Sequence, residues 1–290
     1  MESTVQAMPQ ATLRTRPLSP ALGAEILGID LSQPMDDATF EAICAVWYDN
    51  CVICLPGQNL GEMDQVRFGQ RFGELAETLH EYESGKGHPA LMYVTNERKD
   101  GKYVGALPDG EMYFHSDFCY LERPSMATML YAMVIPSTGG NTLFANMYKA
   151  YETLPAATKE RIDGLKAVNT YDPGRANYAT MRTRIEQASP TARSYAQPMV
   201  YTHPVTGRKA LYLNRLMTES VVGMPRAESN ALLESLFDHQ EQPQFIYEHR
   251  WTPGDVVIWD NRCTLHARTD FSPDELRKLR RVTVKGDKLA

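Results

Sequence analysis

Long apolar runs, basic blocks and paired cysteines are scarce in this chain, and each scarcity removes a class of function. No run approaches the roughly 20 apolar residues that cross a bilayer, so no membrane role is expected. The start, MESTVQAMPQATLRTRPLSP, lacks the apolar centre of an export signal and reads as a disordered leader over residues 1–17. Lys and Arg total 30 against 36 Asp and Glu, a net charge of −6. They are mixed along the chain without a basic arm, which argues against a nucleic-acid partner. There are five cysteines, Cys44, Cys51, Cys54, Cys119 and Cys263. An odd, scattered set is not a disulfide framework and suits the reducing cytoplasm. Cys51 and Cys54 form a C-x-x-C, but no second pair completes a zinc site. Within the apolar run CVICLP they read as buried strand residues. Neither repeats nor low-complexity tracts interrupt the chain.

What is present is ample core material. The chain has 290 residues, 43% of them hydrophobic, and no clear linker, so a single domain over 18–290 is expected. GAEILGIDLSQP (23–34) reads as a strand and a turn. Asp36 or Asp37 caps a helix to about Asn50, with Phe40, Ile43, Val46 and Trp47 at helical spacing. CVICLPG is a strand closed by Pro56-Gly57. Residues 61–72 form a second amphipathic helix, with Met63, Val66 and Phe68 among its apolar positions. Residues 126–135 form a long apolar strand, and 147–167 look helical. Residues 199–214 are a hairpin joined across Thr206-Gly207. Pro225 opens a helix with Leu232, Leu233, Leu236 and Phe237 on one face. DVVIWD and KLRRVTVKG supply two C-terminal strands. Residues 81–110 and 171–198 read as irregular, of a length that marks lids or binding loops. The sum is mainly β with flanking helices.

The chemistry centres on FHSDF (114–118). Side chains alternate along a strand, so His115 and Asp117 share a face, with Tyr113 and Cys119. Among seven histidines a lone H-x-D is weak. WTPGDVVIWDNRCTLHAR (251–268) strengthens it, because His266 follows the buried strand VVIW near its end and offers a second imidazole. Two histidines and a carboxylate, with the other positions open, is the donor set of non-haem Fe(II) oxygenases. The absence of thiolates argues against a closed structural zinc site there. Cys119 and Cys263 read as packing residues. TDFSPDE then turns the chain back, so that Arg277, Leu279, Arg281 and Thr283 share a face towards the metal side. Two inward guanidiniums are costly without anions, which suggests two anion sites. His203 reads as structural; His88, His239 and His249 read as surface residues. Arg175, Arg182 and Arg184 suit a solvated face.

The stretches GAEILGIDLSQP, QRFGEL, FHSDF, PSTGGNTLFANMYKAYETLP, THPVTGRKALYLN, WDNRCTLH and LRRVTVKGD, in this order and spacing, carry a resemblance. From about residue 18 to the C-terminus the chain resembles the taurine dioxygenase and chlorophenoxyacetate dioxygenase (TauD/TfdA) family of Fe(II)/2-oxoglutarate-dependent oxygenases. The resemblance implies a double-stranded β-helix, a cupin-like jelly-roll core. It makes His115, Asp117 and His266 the iron ligands. It places Arg277 and Thr142 on the far carboxylate of 2-oxoglutarate, and Arg281 where the family's substrate anions are held. The taurine enzyme's substrate-binding histidine falls at Thr78, with His80 two residues on, so His80 is the candidate for that role. The stretch before the H-x-D, PDGEMYF, departs from the taurine enzyme; Tyr113 and Phe114 point to a more apolar or aromatic substrate. With O₂ the implied reaction hydroxylates a C–H bond of a small organic anion, giving succinate and CO₂. Related halogenases carry a small residue where Asp117 stands, so hydroxylation is expected here. A homo-oligomer, dimer or tetramer, is common in the family. The rival readings are a zinc-dependent hydrolase and a non-catalytic 2-oxoglutarate or metal sensor on the same barrel.

Overall fold

The computed structural model describes residues 13–77, 87–105, 113–172 and 188–289. The chain opens with β1 (Arg14–Pro17), β2 (Ala24–Leu27), α1 (Asp37–Asn50), β3 (Val52–Leu55) and α2 (Glu62–Gln70). Next come β4 (Met92–Thr95), β5 (Arg98–Lys99), β6 (Lys102–Tyr103), β7 (Ser125–Val134), β8 (Thr142–Asn146), α3 (Met147–Glu152), α4 (Ala156–Ile162) and β9 (Lys166–Tyr171). The remainder comprises β10 (Arg193–Pro198), β11 (Val200–Thr202), β12 (Lys209–Leu211), β13 (Thr218–Val221), α5 (Arg226–Gln240), β14 (Ile246–His249), β15 (Val256–Asp260), β16 (Thr264–Arg268) and β17 (Lys278–Lys285).

A seven-stranded sheet runs β1-β2-β3-β15-β7-β17-β4, and a three-stranded sheet runs β14-β8-β16. The central strands β3, β15, β7 and β17 of the larger sheet are buried on both faces, and their side chains divide by parity. Val52, Cys54, Leu130, Ala132, Val257, Trp259 and Leu279 join Phe144, Ala145 and Leu265 of the smaller sheet in one core. Ile53, Leu55, Ala127, Met129, Val256, Ile258, Val282 and Val284 point the other way and pack with Ile43, Trp47, Val66 and Phe68 of the first two helices. Asp36 caps α1 by accepting from the Thr39 N–H at 2.7 Å. Arg280, on the helix side of β17, is buried and donates to Gln65 Oε1 at 2.7 Å and to the Leu60 and Gly61 carbonyls at 2.9 Å.

Several sequence expectations need correction. The leader expected over 1–17 overlaps β1, because residues 14–17 pair with residues 24–27 of β2. Residues 147–167 hold two short helices split at Pro155, followed by the start of β9. The stretch 81–110 contains β4 to β6, and β10 pairs with β9 across the second expected loop. The C-terminal part has three strands, since His266 lies on a strand of its own, β16. Met63 is exposed.

Two glycine turns give a contrast. Gly139 has φ +71°, and an added Cβ would lie 2.1 Å from the Asp270 carbonyl oxygen; Gly207 has φ +67° and open space around it. Gly207→Ala should therefore cost only the left-handed strain of about 1–2 kcal/mol. Gly139→Ala should cost at least about twice that, because backbone must also move. Urea unfolding of both variants checks the ordering.

Candidate metal centre and its anion-binding recess

His115 docks beside β16 as an isolated antiparallel bridge to His266. The two exchange backbone hydrogen bonds, His115 N to His266 O at 3.0 Å and the reverse at 2.9 Å. A directly opposed pair brings its side chains close, and the imidazole centroids stand 4.1 Å apart. Asp117 does not continue a strand. It begins a tight turn in which Phe118 takes φ 57°. The turn carries Cys119 away from the expected shared face, into a separate cluster with Tyr120, Tyr201 and Met217. Asp117 still reaches the histidines: its Oδ1 is 3.9 Å from His115 Nε2 and 3.8 Å from His266 Nε2. All three side chains are buried, with ligand atoms within 4.8 Å of one another.

Polar contacts fix each group. His115 Nδ1 lies 2.9 Å from the Tyr113 carbonyl oxygen, so it carries the proton and leaves Nε2 as the donor atom. Thr128 donates to Asp117 Oδ2 at 2.5 Å. Asn261 Nδ2 donates to Thr128 Oγ1 at 3.0 Å, and its Oδ1 accepts from the Asp117 N–H at 3.3 Å and the Trp259 indole at 3.1 Å. Arg281 Nη2 lies 2.8 Å from Asp117 Oδ1. Burial works against the Asp117 charge, but the Arg281 guanidinium, with the Thr128 hydrogen bond, outweighs it and holds the carboxyl well below its usual range. Burial, reinforced by His115, holds His266 far below the usual imidazole value, so its ring is neutral. Neutral imidazoles and an ionised carboxylate, without a thiolate, suit Fe(II).

The two histidines of the triad open onto a recess. His115, His266, Thr142, Arg268, Arg277 and Arg281 are its polar walls; Val94, Leu130, Trp259 and Ala267 are its apolar ones. Arg277 precedes β17 and is only 4% exposed. Its Nε donates to the Gly140 carbonyl at 2.9 Å, and no acid pairs with it among the described residues. Burial and the like charge of Arg268 push it down to about 9. A guanidinium keeps its proton at neutral pH, so this is a charge awaiting a counter-ion. Gly140 makes room for it: φ is +65°, and a Cβ there would lie 3.0 Å from Arg277 Cδ. Thr142 Oγ1 accepts from the Trp251 indole at 3.0 Å, which leaves its own proton free to donate.

The recess thus gathers His115, His266, Thr142, Arg277 and Arg281, with Asp117 behind them. Tyr113 contributes its carbonyl; its side chain is exposed and does not line the recess. His80, Thr78, Arg175, Arg182 and Arg184 lie outside the described residues. Sequence reasoning missed Thr128, Asn261, Trp251 and Arg268. Only Arg268 had a visible signal, two residues beyond His266 on one strand. His203 is structural, with Nε2 3.0 Å from Asp260 Oδ2. His249, expected on the surface, is 4% exposed, because β14 pairs with β8 and turns it inward.

A family model described as taurine catabolism dioxygenase TauD, TfdA family matches residues 14–283. The (S)-phenoxypropionate/alpha-ketoglutarate-dioxygenase of Sphingobium herbicidovorans is 32% identical over 284 residues, covering 93% of this chain and 94% of the relative. The alpha-ketoglutarate-dependent sulfate ester dioxygenase of Pseudomonas putida is 32% identical over 287 residues, covering 95% and 90%. The solved structure of AAD-2 in complex with Mn(II) and N-oxalylglycine aligns with a TM-score of 0.82 and 29% identity, covering 95% of this chain and 99% of that one.

Removing one partner of a buried ion pair strands the other charge. Arg281→Met should therefore destabilise the metal-free protein by about 3–5 kcal/mol. Mn(II), by pairing with Asp117, should narrow the gap. Urea unfolding of wild type and variant, with and without Mn(II), measures both effects.

Proposed function

Because the chain belongs to the taurine catabolism dioxygenase TauD, TfdA family, we propose that His115, Asp117 and His266 hold its Fe(II) and that Arg277 and Thr142 hold its 2-oxoglutarate. The protein is an Fe(II)- and 2-oxoglutarate-dependent dioxygenase that hydroxylates a small organic anion. The observation that carries the residue assignment is the shared recess. One end has a buried two-histidine, one-carboxylate cluster, and the other has a buried guanidinium with no acid beside it among the described residues.

Bound iron and 2-oxoglutarate supply O₂ activation coupled to decarboxylation, with succinate and CO₂ as products. The chain's own residues position and shield. The Tyr113 carbonyl keeps the His115 proton on Nδ1 and so keeps Nε2 available. Thr128 and Asn261 hold the Asp117 carboxylate and backbone in place. Arg277 offers charge-assisted donors to the far carboxylate, and the Thr142 hydroxyl, oriented by Trp251, donates a further hydrogen bond. Val94, Leu130 and Trp259 give the recess apolar walls that exclude water. Arg281 serves twice: Nη2 neutralises Asp117 while Nε is held by Thr283 Oγ1 at 3.0 Å, and the side chain lines the recess as a site for the substrate anion.

The core is then a double-stranded β-helix, with the two sheets as its jaws and one domain running from β1 to the C-terminus. The substrate class is a carboxylate, sulfonate or aryloxyalkanoate. The named relatives act on phenoxypropionate and sulfate esters, and His80 and Tyr113 remain candidate substrate contacts. A homo-oligomer, dimer or tetramer, in the cytoplasm completes the reading. No helix among the described residues is long and apolar enough to cross a membrane.

The test is an anaerobic titration with Fe(II) and 2-oxoglutarate, followed by O₂ uptake and succinate release across a panel of small organic anions. Asp117→Ala should abolish metal-dependent turnover. Arg277→Gln should raise the KM for 2-oxoglutarate about tenfold to a hundredfold, the worth of a charged hydrogen-bond set. Arg281→Ala should raise the substrate KM and leave that of 2-oxoglutarate nearly unchanged. If Arg281→Ala weakens both equally, the two guanidiniums have been assigned the wrong anions.

A further inference from the structure

A second trio of metal-donor side chains meets inside the fold, with no role in the oxidation just described. Cys54 lies on β3, Asp255 immediately precedes β15, and His249 ends β14. Their ligand atoms lie within 4.8 Å of one another and all three side chains are buried. β3 and β15 belong to the larger sheet and β14 to the smaller. The trio therefore spans the two sheets.

His249 shows that the trio is more than a crowd of polar groups. Its Nε2 is buried and makes no hydrogen bond, although Asp255 Oδ2 is only 3.3 Å away. The ring cannot turn freely to relieve this. Nδ1 is held by the Tyr247 hydroxyl at 2.9 Å, and Trp251 packs edge-on with centroids 4.6 Å apart. A buried nitrogen left without a partner costs about 1–3 kcal/mol. The spacing fits a different bond. In a tetrahedral zinc site with ordinary Zn–N and Zn–O lengths, those two atoms sit about 3.3–3.5 Å apart. Burial, with Asp255 and Glu25 nearby, pushes the Cys54 thiol well up, so it stays protonated unless a cation displaces the proton. Glu25, the parallel partner of Cys54 in the sheet, is also buried, and its carboxylate pairs with Arg16 at 2.6 Å.

We propose that Cys54, His249 and Asp255 form a second, structural site for a zinc-class divalent cation that ties the two sheets together. Binding exchanges the thiol proton for the metal: Cys–SH and M²⁺ give Cys–S–M⁺ and H⁺. A thiolate, an imidazole and a carboxylate suit zinc, while the thiolate-free donors at Asp117 suit Fe(II). The two sites thus differ in donor type. Tyr247, bonded to the far nitrogen of His249, acts as the outer support that metal-bound imidazoles require.

Cobalt separates this site from the oxidation centre, because only a thiolate ligand gives a thiolate-to-cobalt charge-transfer band in the near ultraviolet. The full chain, stripped of metal, is titrated with Co²⁺ alone and read by absorption. The band is expected in wild type and in Asp117→Ala, and is expected to vanish in Cys54→Ser. Elemental analysis of zinc-loaded protein should show about one bound equivalent in Asp117→Ala, lost when Cys54→Ser is added to that variant. If Cys54→Ser does not fold, His249→Gln replaces it, and loss of the band is again expected. A wild-type protein without the band overturns the proposal and leaves His249 and Asp255 as a direct polar pair. So does a band that survives Cys54→Ser or disappears in Asp117→Ala.

Discussion

One buried negative charge organises this molecule. The Asp117 carboxylate is only 5% exposed, and a carboxylate so placed stays ionised only if cations and donors surround it. Each group that meets it comes from a different part of the chain. Arg281 arrives from β17, Thr128 from β7, His266 from β16 and Asn261 from the turn after β15. Satisfying one carboxylate therefore requires the strand registers of both sheets to be right together. A one-residue slip in β17 would send Arg281 to the helix face and bring Arg280 in. The site is thus a consequence of sheet register, and the helices contribute by packing the opposite face.

Much of this was legible before any coordinates, and the reason is periodicity. Alternation along KLRRVTVK correctly sends Leu279 and Arg281 to one face and Arg280, Val282 and Val284 to the other. The capping aspartate, Asp36 of the two the sequence offers, and the apolar spacing locate α1. The H-x-D pairing was reached by an incomplete argument: Asp117 meets His115 through a turn with a positive φ at Phe118, not through strand alternation. The supporting residues were hidden for a physical reason. Asn261 and Trp251 matter through partners more than 100 positions away in the chain, and Thr128 through Asp117, 11 positions back across a turn; nothing local marks such a partner. His249 was misplaced for the same cause. Its burial follows from β14 pairing with β8, whereas its local sequence, YEHR, is polar.

Arg277 and Arg281 show how two identical side chains four residues apart acquire different roles. Arg281 lies beside Asp117 and is neutralised within the protein. Arg277 finds a carbonyl, a glycine that leaves it room, and a second guanidinium that repels it. A buried cation in that state is unstable relative to its own complex with an anion. Much of the binding energy for a carboxylate at this end of the recess is thus already present as unmet pairing in the free protein. The same geometry explains selectivity along the recess. An anion approaching Arg281 meets a cation whose charge Asp117 has partly cancelled, while one approaching Arg277 meets a full charge. The anion with a tail long enough to reach Arg277 from the metal is therefore favoured there.

The centre of the smaller sheet connects these features. Thr142 stands opposite Arg268 of β16 on one side and opposite His249 of β14 on the other. Its hydroxyl orientation is set by Trp251, whose ring edge also packs against His249. One residue on β8 is thus held from the side of the Cys54 cluster while its free proton faces the recess. A threonine hydroxyl rotates easily and could donate in several directions. Here one lone pair is taken by an indole N–H, so the direction of donation is chosen before any ligand enters. Such preorganisation costs nothing at the moment of binding, provided β14 does not move. The packing that fixes β14 against β3 and β15 is consequently part of the anion site, although no residue of β14 lines the recess.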